Sequence, residues 1–95
     1  MMLTIYKYTI PIQDAFQLKL PIMARILCVD TQHELPCLWM MVDTAMPMTI
    51  RSFRLYGTGH PIETKHVSGL DYIGTFQLEQ GAFVFHLFED KHVSD

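Results

Sequence analysis

The strongest constraint on this chain is a pair of apolar runs, Arg25 to Asp30 and Pro36 to Asp43, set either side of the polar-centred stretch Thr31-Gln32-His33-Glu34-Leu35. That spacing predicts a β-hairpin. Pairing the runs symmetrically about Gln32 and His33 sets Cys28 against Cys37 and Ile26 against Trp39, and turns Leu27, Val29, Leu38, Met40 and Val42 to the other side. Both sides are then apolar, the pattern of strands covered twice rather than once. With almost no helix signal elsewhere, the cover has to be a second sheet, a closed barrel or another subunit.

Further strand signals surround this hairpin. Leu3 to Ile10 is rich in β-branched and aromatic residues and stops at Pro11, and Phe16-Gln17-Leu18-Lys19-Leu20 alternates strictly before Pro21. Thr49 to Tyr56 carries Arg51 and Phe53 on one face and Arg54 and Tyr56 on the other. After it, Gly57-Thr58-Gly59-His60-Pro61-Ile62 opens an irregular loop that runs to Gly69. Tyr72 to Leu78 and Ala82 to Glu89 form a last hairpin about Glu79-Gln80-Gly81, which sets Gly74 opposite His86 and leaves space above the imidazole. The tail after Glu89 is polar and is expected to fray. The expected fold is all-β, with about seven antiparallel strands in a small sandwich or barrel-like sheet. No repeat, low-complexity tract or linker divides the chain, so residues 1–95 read as a single domain.

Composition excludes several function classes. An apolar content of 49% with 18% charged residues lies far from the composition of a disordered chain. The net charge of −3 argues against a binder that neutralises nucleic-acid phosphates. No apolar window is long enough to span a membrane, and the first residues lack the order of a signal peptide, so a cytoplasmic protein is expected. In a reducing compartment Cys28 and Cys37 are expected to be buried thiols, with a cross-strand disulfide as the alternative that the symmetric hairpin leaves open.

Five features invite a chemical reading. In the Gly57–Pro61 loop two glycines flank Thr58, so that successive N–H groups can be turned toward an anion with Thr58 and His60 as side-chain donors; a rigid strand-end turn is the plainer account. Arg51 and Arg54, with Tyr56 and His60 nearby, suggest a local cationic mouth for phosphate or carboxylate, against which stand ordinary edge-strand charges. His86 lies in an aromatic strand and reads as a hydrogen-bonded imidazole within reach of such a site. The five histidines lack the paired spacing of metal ligands, so no metal and no cofactor are expected. Finally, Trp39 with Met40, Met41, Met46 and Met48 reads either as core or as an adaptable interface. The chain has no nucleophile elbow and no marked carboxylate pair, and the expectation is that it is not an enzyme.

The run Ile5-Tyr6-Lys7-Tyr8, the Phe16-x-Leu18-x-Leu20-Pro21 strand, Pro36-Cys37-Leu38-Trp39 with Val42-Asp43, the Gly57–Ile62 loop, and Tyr72-Ile73-Gly74-Thr75-Phe76 with Phe83-Val84-Phe85-His86 resemble a family of short phage and prophage proteins of unknown function. The resemblance spans nearly the whole chain. It implies a phage-type accessory protein that acts by binding, in counter-defence against a host immune protein, within the host cytoplasm. Two alternatives stand beside it. One is a binder or sequesterer of a small anionic ligand such as a nucleotide, built from Arg51, Arg54, Tyr56, Thr58, His60 and His86. The other is a phage structural protein. In each case a homo-oligomer that buries the second apolar face is expected.

Overall fold

A computed structural model describes residues 2–92. Among them seven strands run in order: β1 (Thr4–Thr9), β2 (Ala15–Pro21), β3 (Arg25–Gln32), β4 (Leu35–Val42), β5 (Met48–Gly57), β6 (Leu70–Leu78) and β7 (Phe83–Asp90). A single helical turn, α1 (Thr64–Val67), interrupts the loop between β5 and β6, where the sequence predicts only irregular chain. All pairings are antiparallel and make two sheets, β1-β4-β3 and β2-β5-β7-β6. The all-β sandwich expected from the sequence is therefore the fold, flattened to 43 × 38 × 16 Å.

Alternation along each strand supplies the core. Phe16 and Leu20 of β2, Val29 of β3, Leu38, Met40 and Val42 of β4, Phe53 and Leu55 of β5, Phe76 of β6 and Leu87 of β7 meet between the sheets. Phe16 stacks on Phe53 directly across the β2–β5 ladder, with ring centroids 5.4 Å apart. Where β3 and β6 lie against each other, Gly74 admits Val29: a Cβ at Gly74 would stand 2.7 Å from a Val29 methyl. Glycine serves here as a close-approach residue between layers.

Two registers differ from expectation for the same reason. The central hairpin turns on His33 and Glu34 alone, both with positive φ (52° and 62°), so Gln32 pairs with Leu35 and Cys28 with Trp39. Cys37 falls opposite Asp30 and is buried, while Cys28 is exposed, and both are free thiols. A bulge between Ile26 and Cys28 then turns Ile26 toward the core and leaves Leu27 40% exposed. In the last hairpin Leu78 pairs with Phe83, which shifts His86 from Gly74 to Thr75; Gly74 faces Leu87, and the Thr75 hydroxyl stands against the imidazole instead. The expectation of a frayed tail concerns, for residues 93–95, positions outside the described residues. Before them β7 continues to Asp90, and the Lys91 N–H donates to the Gly69 carbonyl at 2.7 Å.

Candidate functional site

Two regions gather the side chains that the sequence singles out, one on each sheet. On the four-stranded sheet, a cleft of about 360 Å³ is lined by Asp14, Arg54, Leu55, Tyr56, His60, Pro61, Glu63 and His66. It unites Arg54, Tyr56 and His60 as expected, and adds the two carboxylates and His66. On the far side of the glycine loop a second cleft, of about 400 Å³, is bounded by Gly57, Thr58, His60 and the Ala82–Phe85 segment. His60 belongs to both clefts because its ring folds back over Gly57, where a Cβ would come within 2.8 Å of the imidazole.

The cationic mouth does not form. Arg51 and Arg54 are on opposite faces of β5, and each already has an anion. Arg51 donates to both carboxylate oxygens of Glu89, at 2.7 and 2.8 Å, and also to the Ala24 carbonyl, so it is a tie between β5, β7 and the β2–β3 turn. Hydrogen bonding to Glu89 pushes the Arg51 pKa up against the opposing effect of burial. Arg54 donates to Asp90 at 3.1 Å. Burial pushes the Asp90 carboxyl upward, but the His92 backbone N–H, the His92 ring and Arg54 outweigh it and hold the carboxyl at about 2. The cleft's one arginine thus faces Asp14 and Glu63 with its charge already compensated.

Nor does the glycine loop aim its N–H groups outward as an anion nest. The Thr58 N–H donates to the Val84 carbonyl at 3.1 Å and the His60 N–H to the Gly57 carbonyl at 3.0 Å. Gly59, at φ 87°, makes the turn that these bonds close.

Thr58 and His86 do meet, in a chain of hydroxyls on the outer face of the four-stranded sheet. Tyr72 Oη lies 2.6 Å from Thr75 Oγ1, Thr75 Oγ1 lies 2.9 Å from His86 Nδ1, and His86 Nε2 lies 2.7 Å from Thr58 Oγ1. With His86 neutral and protonated at Nε2, one proton order satisfies every link: Tyr72 donates to Thr75, Thr75 to Nδ1, Nε2–H to Thr58, and Thr58 to the Val84 carbonyl. The chain stitches β6, β7 and the loop that follows β5 together beside the edge-to-face rings of Tyr56, Phe88 and Tyr72. Thr75 and Tyr72 escape a sequence-based expectation because the symmetric register places Gly74 at this position.

The second region belongs to the three-stranded sheet. Met40 is fully buried in the core and is not an interface residue, because the register places it with Leu38 and Val42 on the inner face. Trp39 and Met41 occupy the outer face, half-buried, with Ile5, Lys7 and Cys28 as cross-strand neighbours. The Lys7 ammonium stands 5.9 Å from the centre of the Trp39 ring. At one end of this sheet an apolar groove of about 260 Å³ is lined by Leu3, Ile22, Met23, Met41, Asp43 and Met46. Met48 lies outside the groove, 50% exposed opposite Pro21 at the end of β5.

Met23 is the conspicuous member, 85% exposed at φ 63°. It sits in the Pro21–Ala24 turn, closed by the Ala24 N–H on the Pro21 carbonyl at 3.1 Å, where glycine is the ordinary occupant. The signal in the sequence for this groove is an apolar Ile-Met pair immediately after a strand-ending proline, a feature the strand pattern alone does not single out.

The sequence matches the family described as Domain of unknown function (DUF7352) over residues 1–95. The chain belongs to the DUF7352 family. No curated protein and no solved structure matches it. Among the described residues of this DUF7352 domain, no three His, Cys, Asp or Glu side chains converge to hold a metal ion, and no helix is long and apolar enough to cross a membrane.

Proposed function

We propose that the DUF7352 domain is a non-enzymatic binding protein of the phage accessory type, whose partner is another protein. A host immune protein met in the host cytoplasm is the partner class that the resemblance to short phage proteins implies. The observation that carries the reading is the apolar groove with its methionines: Met23 is held out in solvent from a strained turn, beside Met41, Met46, Ile22 and Leu3. Flexible thioethers around a shallow apolar groove suit an irregular protein surface, and Trp39 on the adjoining sheet face offers an aromatic anchor. Against catalysis stands the internal compensation of the charged groups, with Arg51 and Arg54 each tied to a carboxylate.

The test is a binding titration of candidate immune proteins against the full chain and against Met23→Asp and Trp39→Ala. Loss of affinity in both variants, with folding intact, supports the reading; unchanged affinity removes the surface from it. A second reading, a small-ligand site in the cleft of Arg54, Tyr56 and His60, is favoured by that convergence alone. A ligand there has to compete with Asp90 for Arg54, so His60→Ala and Arg54→Ala have to abolish any retained small molecule.

A further inference from the structure

A sheet edge presents a row of unpaired backbone donors and acceptors, and folded proteins blunt such rows with proline, charge or cover. The two sheets here have four edges. Those of β3 and β6 lie against each other. In β2 the hydrogen bonds from Leu55 to Asp14 and from Ile22 to Pro47 fix the phase of the β2–β5 ladder, so that Ala15, Gln17, Lys19 and Pro21 turn their backbone outward. That row is blunted by Pro21, which has no N–H, and by Lys19.

Among the described residues, the edge of β1 has no such protection. The Ile10 N–H donates to the Pro36 carbonyl at 3.0 Å, which in this register assigns the backbone groups of Thr4, Tyr6 and Tyr8 to β4 and leaves those of Leu3, Ile5, Lys7 and Thr9 facing outward. The single charge on the strand does not guard the edge, because the Lys7 ammonium is drawn inward over Trp39 to donate to Gln32 at 2.7 Å. Tyr6 lies opposite the fully buried Met40 yet is 46% exposed, since none of the described residues covers it beyond the edge.

We infer that β1 pairs antiparallel with β1 of a second copy about a two-fold axis at Tyr6, making one six-stranded sheet across the dimer. The row is complementary to itself in that register. Ile5 exchanges both backbone bonds with Lys7 of the second copy and Lys7 with Ile5, and Leu3 and Thr9 extend the ladder. A two-residue slip one way sets the two Lys7 side chains directly opposite each other, and the other way pairs only Thr4 to Tyr6 within the strand and leaves Lys7, Tyr8 and Thr9 opposite residues outside β1. Because the axis is perpendicular to the sheet, inner faces stay on one side: the two Tyr6 rings cover each other, and both Trp39 faces point the same way. The contact is isologous and closes at two subunits.

The test combines native mass spectrometry with register-specific cross-linking on the full chain. The wild type is expected at twice its 11.0 kDa mass. Tyr6 pairs with itself without hydrogen bonds, which brings the Cα atoms to about 4.5 Å, within the range a disulfide spans. In a Cys28→Ser background, Tyr6→Cys is therefore expected to form a covalent dimer under mild oxidation, whereas Lys7→Cys and Thr4→Cys are not. Ile5→Pro removes an outward N–H without touching the β1–β4 ladder and is expected to be a folded monomer. A monomeric wild type overturns the inference. So does a dimer that Tyr6→Cys fails to close, whether or not Ile5→Pro folds.

Discussion

Replacing Glu89 by alanine removes both carboxylate oxygens from Arg51 and leaves its guanidinium with the Ala24 carbonyl alone. The side chains are 21% and 9% exposed, so the pair lies between a surface ion pair and a fully buried one. Exposed pairs contribute about 0–1 kcal/mol, and breaking a buried pair costs about 3–5 kcal/mol; the expected loss for Glu89→Ala is therefore about 2–3 kcal/mol. For a domain of this size that lowers the midpoint of thermal unfolding by roughly 10–20 °C. The assay is urea unfolding followed through Trp39, the chain's single tryptophan, in a cycle with Arg51→Ala and the double variant. The double variant should lose much less than the sum of the two singles, since neither is left with an orphaned partner. Arg51→Met combined with Glu89→Met should fall within about 1 kcal/mol of the wild type, because apolar replacement of both partners avoids the desolvation cost. If the two alanine variants are additive and each costs under about 0.5 kcal/mol, Arg51 is not the tie described and is available to a ligand.

Three further outcomes are expected. Asp90 titrates at about 2 in the fold against an ordinary 3.8, so its contribution, about 1–2 kcal/mol after allowance for solvent, is complete above pH 4 and lost as pH falls through 2; unfolding midpoints measured across that window should show the loss in the wild type and not in Asp90→Asn. Met23→Gly relieves a left-handed backbone at a turn and should leave stability unchanged or raise it by up to about 1 kcal/mol, while partner affinity falls; a destabilised variant in thermal melts contradicts the strain. Gly74→Ala drives a methyl into Val29 and should cost about 1–3 kcal/mol by urea unfolding, with much of the loss restored by Val29→Ala.

The strands are legible in the sequence because their signals are local. β-branched and aromatic runs broken by Pro11, Pro21 and the glycine loop mark β1, β2 and β5 within a residue or two. Register is not, because both hairpins turn on residues that do not announce positive φ. His33-Glu34 stands where Asn-Gly is the usual sequence, and Glu79 and Gln80 share the left-handed region with Gly81. A two-residue shift is enough to separate Cys28 from Cys37, and a one-residue shift gives His86 a hydroxyl partner in place of a void. The loss of the cationic mouth is beyond local reading for a different reason. Glu89 and Asp90 lie on β7, which meets β5 only through the crossover past β6, and the 38 and 36 positions separating the partners carry no trace of that pairing.

The central claim, that this domain acts by holding another protein on its Trp39 and methionine surface, is tested most directly by native mass spectrometry of the full chain purified gently from bacterial cells carrying immune systems, beside Trp39→Ala and Met23→Asp prepared identically. The predicted result is a polypeptide of a mass other than the domain's own retained by the wild type, lost in both variants, and recovered as a complex when the identified protein is mixed with pure domain. A small mass retained equally by all three proteins and released on denaturation contradicts it, and moves the function to the cleft of Arg54, Tyr56 and His60.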